Sequence, residues 1–206
     1  AVGFVNGPWH TSMYDLAQWW AAHRAPMAAE RMESCRHAPA IAAQATALEG
    51  APGPILCVGC GDGTELAYFP GSVGLTLNAG ALLPACRRRH AVLVADMHLL
   101  PFRSGSFGGI YCKDTFEHAL APTIVLGEFF RVAREWVFLV LPDAEHWALS
   151  PLHPLILTKE QLACAALKAG WDTRHCRQQV VQHPPDSPAL DWYLDCYHLT
   201  RGRVHV

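Results

Sequence analysis

The stretch Pro54-Ile-Leu-Cys-Val-Gly-Cys-Gly-Asp-Gly-Thr64 decides the fold. Ile55 to Val58 form a short apolar run, the pattern of a strand buried on both faces. Gly59, Gly61 and Gly63 then alternate, so the chain can turn tightly and a ligand can approach the main chain without meeting a Cβ. A helix is expected to open from this turn, with its free N–H groups facing a carboxylate or another anion. A small-molecule site at this turn is the central expectation.

Outward from that turn, apolar runs alternate with helical patterns, which indicates a parallel sheet with crossover helices. Strands are expected at 54–58, 73–77, 91–95, 107–112 and 136–141, and helices at 63–69, 79–89, 120–134 and 158–169. After Gly170, strand-like runs at 171–178 and 191–200 flank the turn-rich Gln182-His-Pro-Pro-Asp-Ser-Pro188, which suits an antiparallel pair at the sheet edge. Residues 1–50 read as helical. A first helix, capped by Thr11 or Ser12, carries Leu16, Trp19, Trp20 and His23; a second runs from Pro26 to about Arg36; a third starts at Pro39 and ends by Gly50. The expected architecture is α/β: a doubly wound, Rossmann-like, mostly parallel seven-stranded sheet with an antiparallel last strand. Residues 1–50 form a helical extension or lid, and residues 51–206 form the binding domain.

Composition narrows the function. With 206 residues, 51% hydrophobic and 17% charged, the chain has the makings of one compact domain. The net charge of −2 and the absence of a long basic run argue against a nucleic-acid backbone or an anionic membrane as the main partner. No run approaches the ~18 apolar residues of a membrane span, and the first residues lack a secretory pattern. The 8 cysteines are scattered, and the CxxC of Cys57 and Cys60 straddles a turn whose glycines hem in the second thiol. Reduced thiols and a cytoplasmic setting are the expectation.

The glycine spacing discriminates among ligands. A dinucleotide site needs a third glycine where Thr64 stands and an acid about twenty positions on; Thr76 and Asn78 occupy that region. The Lys-Ser/Thr of a phosphate loop is absent.

Leu56-Cys-Val-Gly-Cys-Gly-Asp-Gly63 instead resembles the first motif of class I S-adenosylmethionine (SAM)-dependent methyltransferases, of the small-molecule, type 11-like kind. The resemblance continues through Gly74-Leu-Thr-Leu-Asn78, Ala95-Asp-Met-His-Leu-Leu-Pro-Phe102, Gly105-Ser-Phe-Gly-Gly-Ile-Tyr111 and Asp114-Thr-Phe-Glu-His118. It then takes in Glu128-Phe-Phe-Arg-Val132 and Leu157-Thr-Lys-Glu-Gln-Leu162 up to Ala169-Gly-Trp171, roughly residues 54–175 in all. It implies SAM as cofactor. Gly59, Cys60 and Gly61 would line its methionine part, Thr76 and Leu77 its ribose, and Asp96 and the Met97 backbone its adenine. Cys112 and Lys113 would lie along the methionine side, with His118 a further neighbour. The plainer readings are that Asp96 caps a turn and that Cys57 and Cys112 are core residues.

Three positions depart from the family pattern. Cys57 stands where an acid is usual in the first strand, Thr76 replaces the ribose-binding acid, and Gly108 replaces the acid after Ser-Phe. The Pro-Gly-Gly turn before strand five is missing too, with Arg134-Glu135 leading into Trp136. These changes imply weaker or rearranged cofactor binding.

The acceptor should meet the carboxyl ends of the strands. His146 is the first candidate for a general base, with His153 and Asp143 behind it and Glu145 further back; the alternative is that His146 and Trp147 only shape a pocket wall. No metal is expected, because His118, His146 and His153 lie on different segments without tight ligand spacing. The reading is a SAM-dependent methyltransferase acting on an oxygen, nitrogen or carbon atom of a small molecule. The alternative is a catalytically degenerate relative that serves as a binding module. A nucleic-acid enzyme is disfavoured, since Tyr111-Cys-Lys-Asp114 stands where such enzymes orient an exocyclic amine.

Overall fold

The computed structural model describes residues 38–48, 53–77, 90–142, 153, 157–180 and 192–202. The helices expected before residue 38 and at 79–89, and the candidate residues Asp143, Glu145, His146 and Trp147, lie outside the described residues.

In chain order the elements are α1 (Ala38–Ala47), β1 (Ile55–Val58), a 3-10 turn (Glu65–Tyr68), β2 (Val73–Thr76), β3 (Ala91–Val94) and β4 (Phe107–Lys113). A second 3-10 turn (Phe116–His118) follows, then α2 (Pro122–Val132), β5 (Ala133–Pro142), α3 (Lys159–Lys168), β6 (Trp171–Val180) and β7 (Trp192–Arg201). The seven strands form one sheet in the order β3-β2-β1-β4-β5-β7-β6. β1 pairs in parallel with both β2 and β4, so strand order reverses beside it. β7 runs antiparallel between β5 and β6. The expected mostly parallel sheet with an antiparallel last strand is what forms.

Period-two side-chain alternation explains why the inner strands read as unbroken apolar runs. Leu56, Val58, Ile110, Cys112, Val137 and Leu139 face one core, shared with Val125, Leu126 and Phe129 of α2 and Leu162 of α3. Cys57, Tyr111, Trp136, Phe138 and Val140 face the other, shared with Ile41 of α1 and with Leu48. Both faces are covered, so no strand position between them can be polar without a partner. Tyr111 meets that need by donating its hydroxyl to Gln44 Oε1 at 2.7 Å, which ties α1 to the sheet.

Helix ends are fixed locally. Thr158 and Gln161 form a capping box at the start of α3. Arg201 on β7 donates to the carbonyls of Phe130 at 2.6 Å and Ala133 at 2.8 Å, satisfying the end of α2 while its guanidinium lies over the Phe130 ring. α2 runs straight into β5, so the missing Pro-Gly-Gly turn is not replaced by another loop.

The helix expected at 63–69 is corrected. Only the four-residue 3-10 turn Glu65–Tyr68 forms there. Gly63 on one side and Pro70-Gly71 on the other leave too few residues to offset the cost of nucleating an α-helix.

Candidate active site

The carboxyl ends of β1, β2, β3 and β4 converge beside the reversal in strand order, where a doubly wound sheet opens a crevice. Gly59, Gly61 and Gly63 all have positive φ, +79°, +49° and +80°. The turn is largely self-satisfied. The N–H groups of Gly59 and Cys60 both donate to the Leu75 carbonyl, at 2.8 and 3.0 Å, and that of Gly63 donates to the Cys60 carbonyl at 2.8 Å. Asp62 Oδ1 accepts from the Thr64 N–H at 3.1 Å and hydroxyl at 2.7 Å. No α-helix starts at this turn, and the N–H groups of Gly59, Cys60, Gly63 and Thr64 are already engaged within the protein.

The glycines serve different ends. A Cβ on Gly59 would lie 1.8 Å from Thr115 Oγ1, so this glycine lets the β1 turn touch the segment after β4. Among the described residues, a Cβ on Gly61 would meet nothing within 4 Å, so none of them crowds the main chain there. Cys60 is buried with its thiol pushed up to about 12 by burial, then by Glu65 and Asp62, which removes it from thiolate chemistry at neutral pH.

Behind the turn lies a group of charges in which the sequence reading singled out Lys113 but not Glu65. Glu65 is buried, and its carboxylate stands 3.6 Å from the Lys113 ammonium. Burial pushes the Glu65 carboxyl up to about 7 against the pull of Lys113, with Asp114 and Asp62 adding to the rise. Burial opposes the charge on Lys113, but Asp114 and Glu65 outweigh it and hold the ammonium charged. Lys113 also bonds Asp114, a non-glycine residue at φ +44°. The only sequence signal for Glu65 was an acid directly after the glycine turn. Lys113 thus lies inside an acidic cluster and does not project alone toward a ligand.

At the next strand ends, Thr76 is buried and its carbonyl accepts from the Ala95 N–H at 3.0 Å, with Leu77 half-buried beyond it. Asp96 caps its own turn, as the plainer reading expected. Its Oδ1 accepts from the His98 N–H at 2.8 Å and from His98 Nδ1 at 2.7 Å. Burial works against its charge, and these bonds more than reverse that, holding the carboxyl below its usual value. His98 Nε2 in turn accepts from the N–H groups of Leu120 and Ala121, at 3.1 and 3.3 Å. That fixes the tautomer with its proton on Nδ1 and links Asp96 to the entry of α2. Met97 packs into the core below. Glu128 and Arg131 of α2 hold the following loop: Glu128 accepts from the Leu100 N–H at 2.8 Å, and Arg131 donates to the Phe102 carbonyl at 2.6 Å.

Cys57 and Cys112 are wholly buried in the two cores, so only the main chain at Cys112 remains for a ligand. An acid at position 57 would sit among Tyr111, Phe69 and Ile41, an apolar setting that favours the thiol. Gly108 lies in the register shift between Phe107 and Gly109, where a Cβ on Gly109 would strike the Trp136 ring. His118 is buried, its ring centroid 4.9 Å from that of His153. Sequence reasoning placed these two on separate segments; the fold brings them together.

Residues 56–141 match the model of the methyltransferase domain family. No curated protein matches the chain. Among solved structures, a SAM-dependent methyltransferase from Thermotoga maritima, described as a possible histamine N-methyltransferase, is 16% identical with a TM-score of 0.68. The likeness covers 88% of this chain and 98% of that one. A putative methyltransferase of Haloferax volcanii, solved with the Trm112 methyltransferase activator, is 16% identical with a TM-score of 0.66, over 88% of this chain and 96% of that one. Phosphoethanolamine N-methyltransferase 2 of Haemonchus contortus, solved with SAM, is 14% identical with a TM-score of 0.57, over 73% of this chain and 48% of that one. At these identities the likeness to solved structures establishes the fold alone, and the family model matches residues 56–141, less than half of the chain. Residues 56–141 therefore resemble a methyltransferase domain, set in the fold that the solved SAM-dependent methyltransferases share.

Proposed function

We propose that this chain transfers a methyl group from SAM to an oxygen, nitrogen or carbon atom of a small molecule. The observation that carries the reading is the main chain at Gly61, where no described atom lies within 4 Å of a would-be Cβ, next to Asp62 and to the Glu65–Lys113–Asp114 cluster behind the turn. SAM bears two cationic groups, an ammonium and a sulfonium, and an acid-rich wall next to an unobstructed backbone suits both. These acids supply charge that positions 57, 76 and 108 do not.

Gly59, Cys60 and Gly61 hold the methionine end, with Lys113 and His118 on the same side and the main chain at Cys112. Thr76 and Leu77 border the ribose; Asp96 and the Met97 backbone address the adenine, Asp96 through Oδ2, since Oδ1 is committed to His98. Bound SAM supplies an electrophilic methyl group open to in-line attack. The protein's share is then to orient the acceptor, exclude water and, where the acceptor carries a proton, remove it. His153 and, beyond the described residues, His146 and Asp143 are the candidates for that last task. Residues 1–50 act as a lid, with α1 as its packed base. A small acceptor is favoured by the absence of a basic excess, with a net charge of −2. Among the described residues no helix is long and apolar enough to cross a membrane. A reducing, cytoplasmic setting fits the free cysteines Cys57, Cys60, Cys112, Cys164 and Cys176 among the described residues.

Calorimetry with SAM tests the reading. Saturable binding is expected in the intact chain, and its loss is expected in Gly61→Trp with folding retained; no binding at millimolar SAM overturns it. The absent acids at Cys57, Thr76 and Gly108 favour a second reading, a binding module that has lost the reaction. That reading requires bound SAM, or none, with no methyl turnover against any acceptor pool.

A further inference from the structure

We propose that Glu117, His118 and His153 form a binding site for a divalent transition metal of zinc-like chemistry. One carboxylate oxygen and one ring nitrogen from each histidine lie within 4.8 Å of one another. Zinc bonds near 2.1 Å at tetrahedral angles place ligand atoms about 3.4 Å apart, so small side-chain rotations close the set. Two imidazoles and one carboxylate are a donor set that zinc and neighbouring divalent ions accept, with at least one position left for water or a substrate atom.

The site is built on a rigid base. Glu117 and His118 are adjacent on the 3-10 turn Phe116–His118, and both are buried. Phe116 before them and Ala119 after them are core residues, and the His118 N–H donates to the Thr115 carbonyl at 3.0 Å. His153 enters from the segment beyond β5, half-buried, with its ring at 59° to that of His118. Tilted rings at this distance let their nitrogens converge on a shared point, whereas parallel stacking would keep them apart. The Glu117 charge also reaches Cys112 and Lys113 at the end of β4, which puts the cluster beside the strand ends proposed to receive the acceptor.

A metal there would hold an acceptor hydroxyl oxygen and lower its pKa, so that its proton passes to water. The oxygen forms the bond to the methyl carbon, and the S–C bond of SAM breaks to leave a neutral thioether. His153 would then be a ligand, with His146 and Asp143 the remaining candidates for a base. This extension rests on the methyltransferase reading, whereas the metal site itself does not.

The test is a Co2+ titration of the chelator-stripped full chain, followed by visible absorption and calorimetry without SAM. One equivalent of Co2+ should give the intense bands of four- or five-coordinate cobalt, displaced by Zn2+. Glu117→Gln and His153→Ala should each weaken Co2+ binding by about tenfold or more, and melting curves show whether each variant folds. No stoichiometric binding overturns the site, and so does undiminished affinity in a folded variant. SAM calorimetry on the metal-free protein separates the two readings: SAM binding without cobalt binding removes the metal site alone.

Discussion

The Lys113 ammonium stands 3.6 Å from the Glu65 carboxylate with 1% of the lysine side chain exposed, so the ends of β1 and β4 are joined by a charge pair that water scarcely reaches. Breaking such a pair from one side leaves an uncompensated buried charge, at a cost of about 3 kcal/mol. Lys113→Met should therefore lower stability by roughly that amount, measured by urea unfolding. Glu65→Gln in the Lys113→Met background should recover part of the loss. A Lys113→Met variant as stable as the parent would show that the pair contributes nothing.

The same glutamate gives the fold a pH dependence. Its carboxyl stands at about 7 in the folded chain against 4.5 when unperturbed, with burial as the main cause. The folded state therefore holds this proton more tightly than the unfolded state does. The stability it contributes is complete below about 4.5 and is lost as pH rises to about 7. The difference is on the order of 3 kcal/mol at most. Unfolding at pH 5 and pH 8 should show a smaller fall in Glu65→Gln than in the parent; equal falls would remove Glu65 as the cause.

Strand positions and the mostly parallel sheet were legible because apolar runs with both faces buried are continuous in sequence, as Ile55–Val58 and Phe107–Cys112 are, whereas the strand order was not read from the sequence. The third helix was legible from its alanines and Pro39, and α3 from Thr158 and Gln161 at capping-box spacing. Other features depend on contacts that spacing does not encode. Glu65 reads in sequence as a first-turn acid, and only the fold buries it against Lys113. His118 and His153 come from different segments, and their adjacency follows from where the chain returns after β5. Asp62 and Pro70 bound a stretch that composition alone reads as helix, yet its length allows a single 3-10 turn.

The two leading glycines of the turn should respond differently to alanine. Gly59 combines φ +79° with a Thr115 hydroxyl 1.8 Å from the would-be Cβ, so Gly59→Ala must separate the β1 turn from the segment after β4. A loss of about 3 kcal/mol or more is expected. Gly61, at φ +49° with no described atom within 4 Å of the would-be Cβ, should lose only about 1 kcal/mol and should reveal itself in weaker SAM binding instead. Thermal melts and calorimetry on the two variants distinguish stability from binding. Equal destabilisation would mean that Thr115 yields without cost.

In the proposed SAM site, where Asp96 addresses the adenine, His98 would be a positioning residue that acts through Asp96. Its Nδ1 proton fixes Asp96 Oδ1, and its Nε2 takes the N–H groups of Leu120 and Ala121. His98→Ala removes all three side-chain contacts, leaving two main-chain donors to find other partners and Asp96 Oδ1 held by the residue-98 N–H alone, at about 1–3 kcal/mol of stability. With Asp96 held by one bond where there were two, the KM for SAM should rise about tenfold while kcat for the chosen acceptor changes little, because the proposed site puts both residues at the adenine, away from the transferred methyl. His98→Asn, which retains a short side-chain donor, should recover part of that KM. A fall in kcat with KM unchanged would place His98 in the chemistry itself and overturn the positioning role.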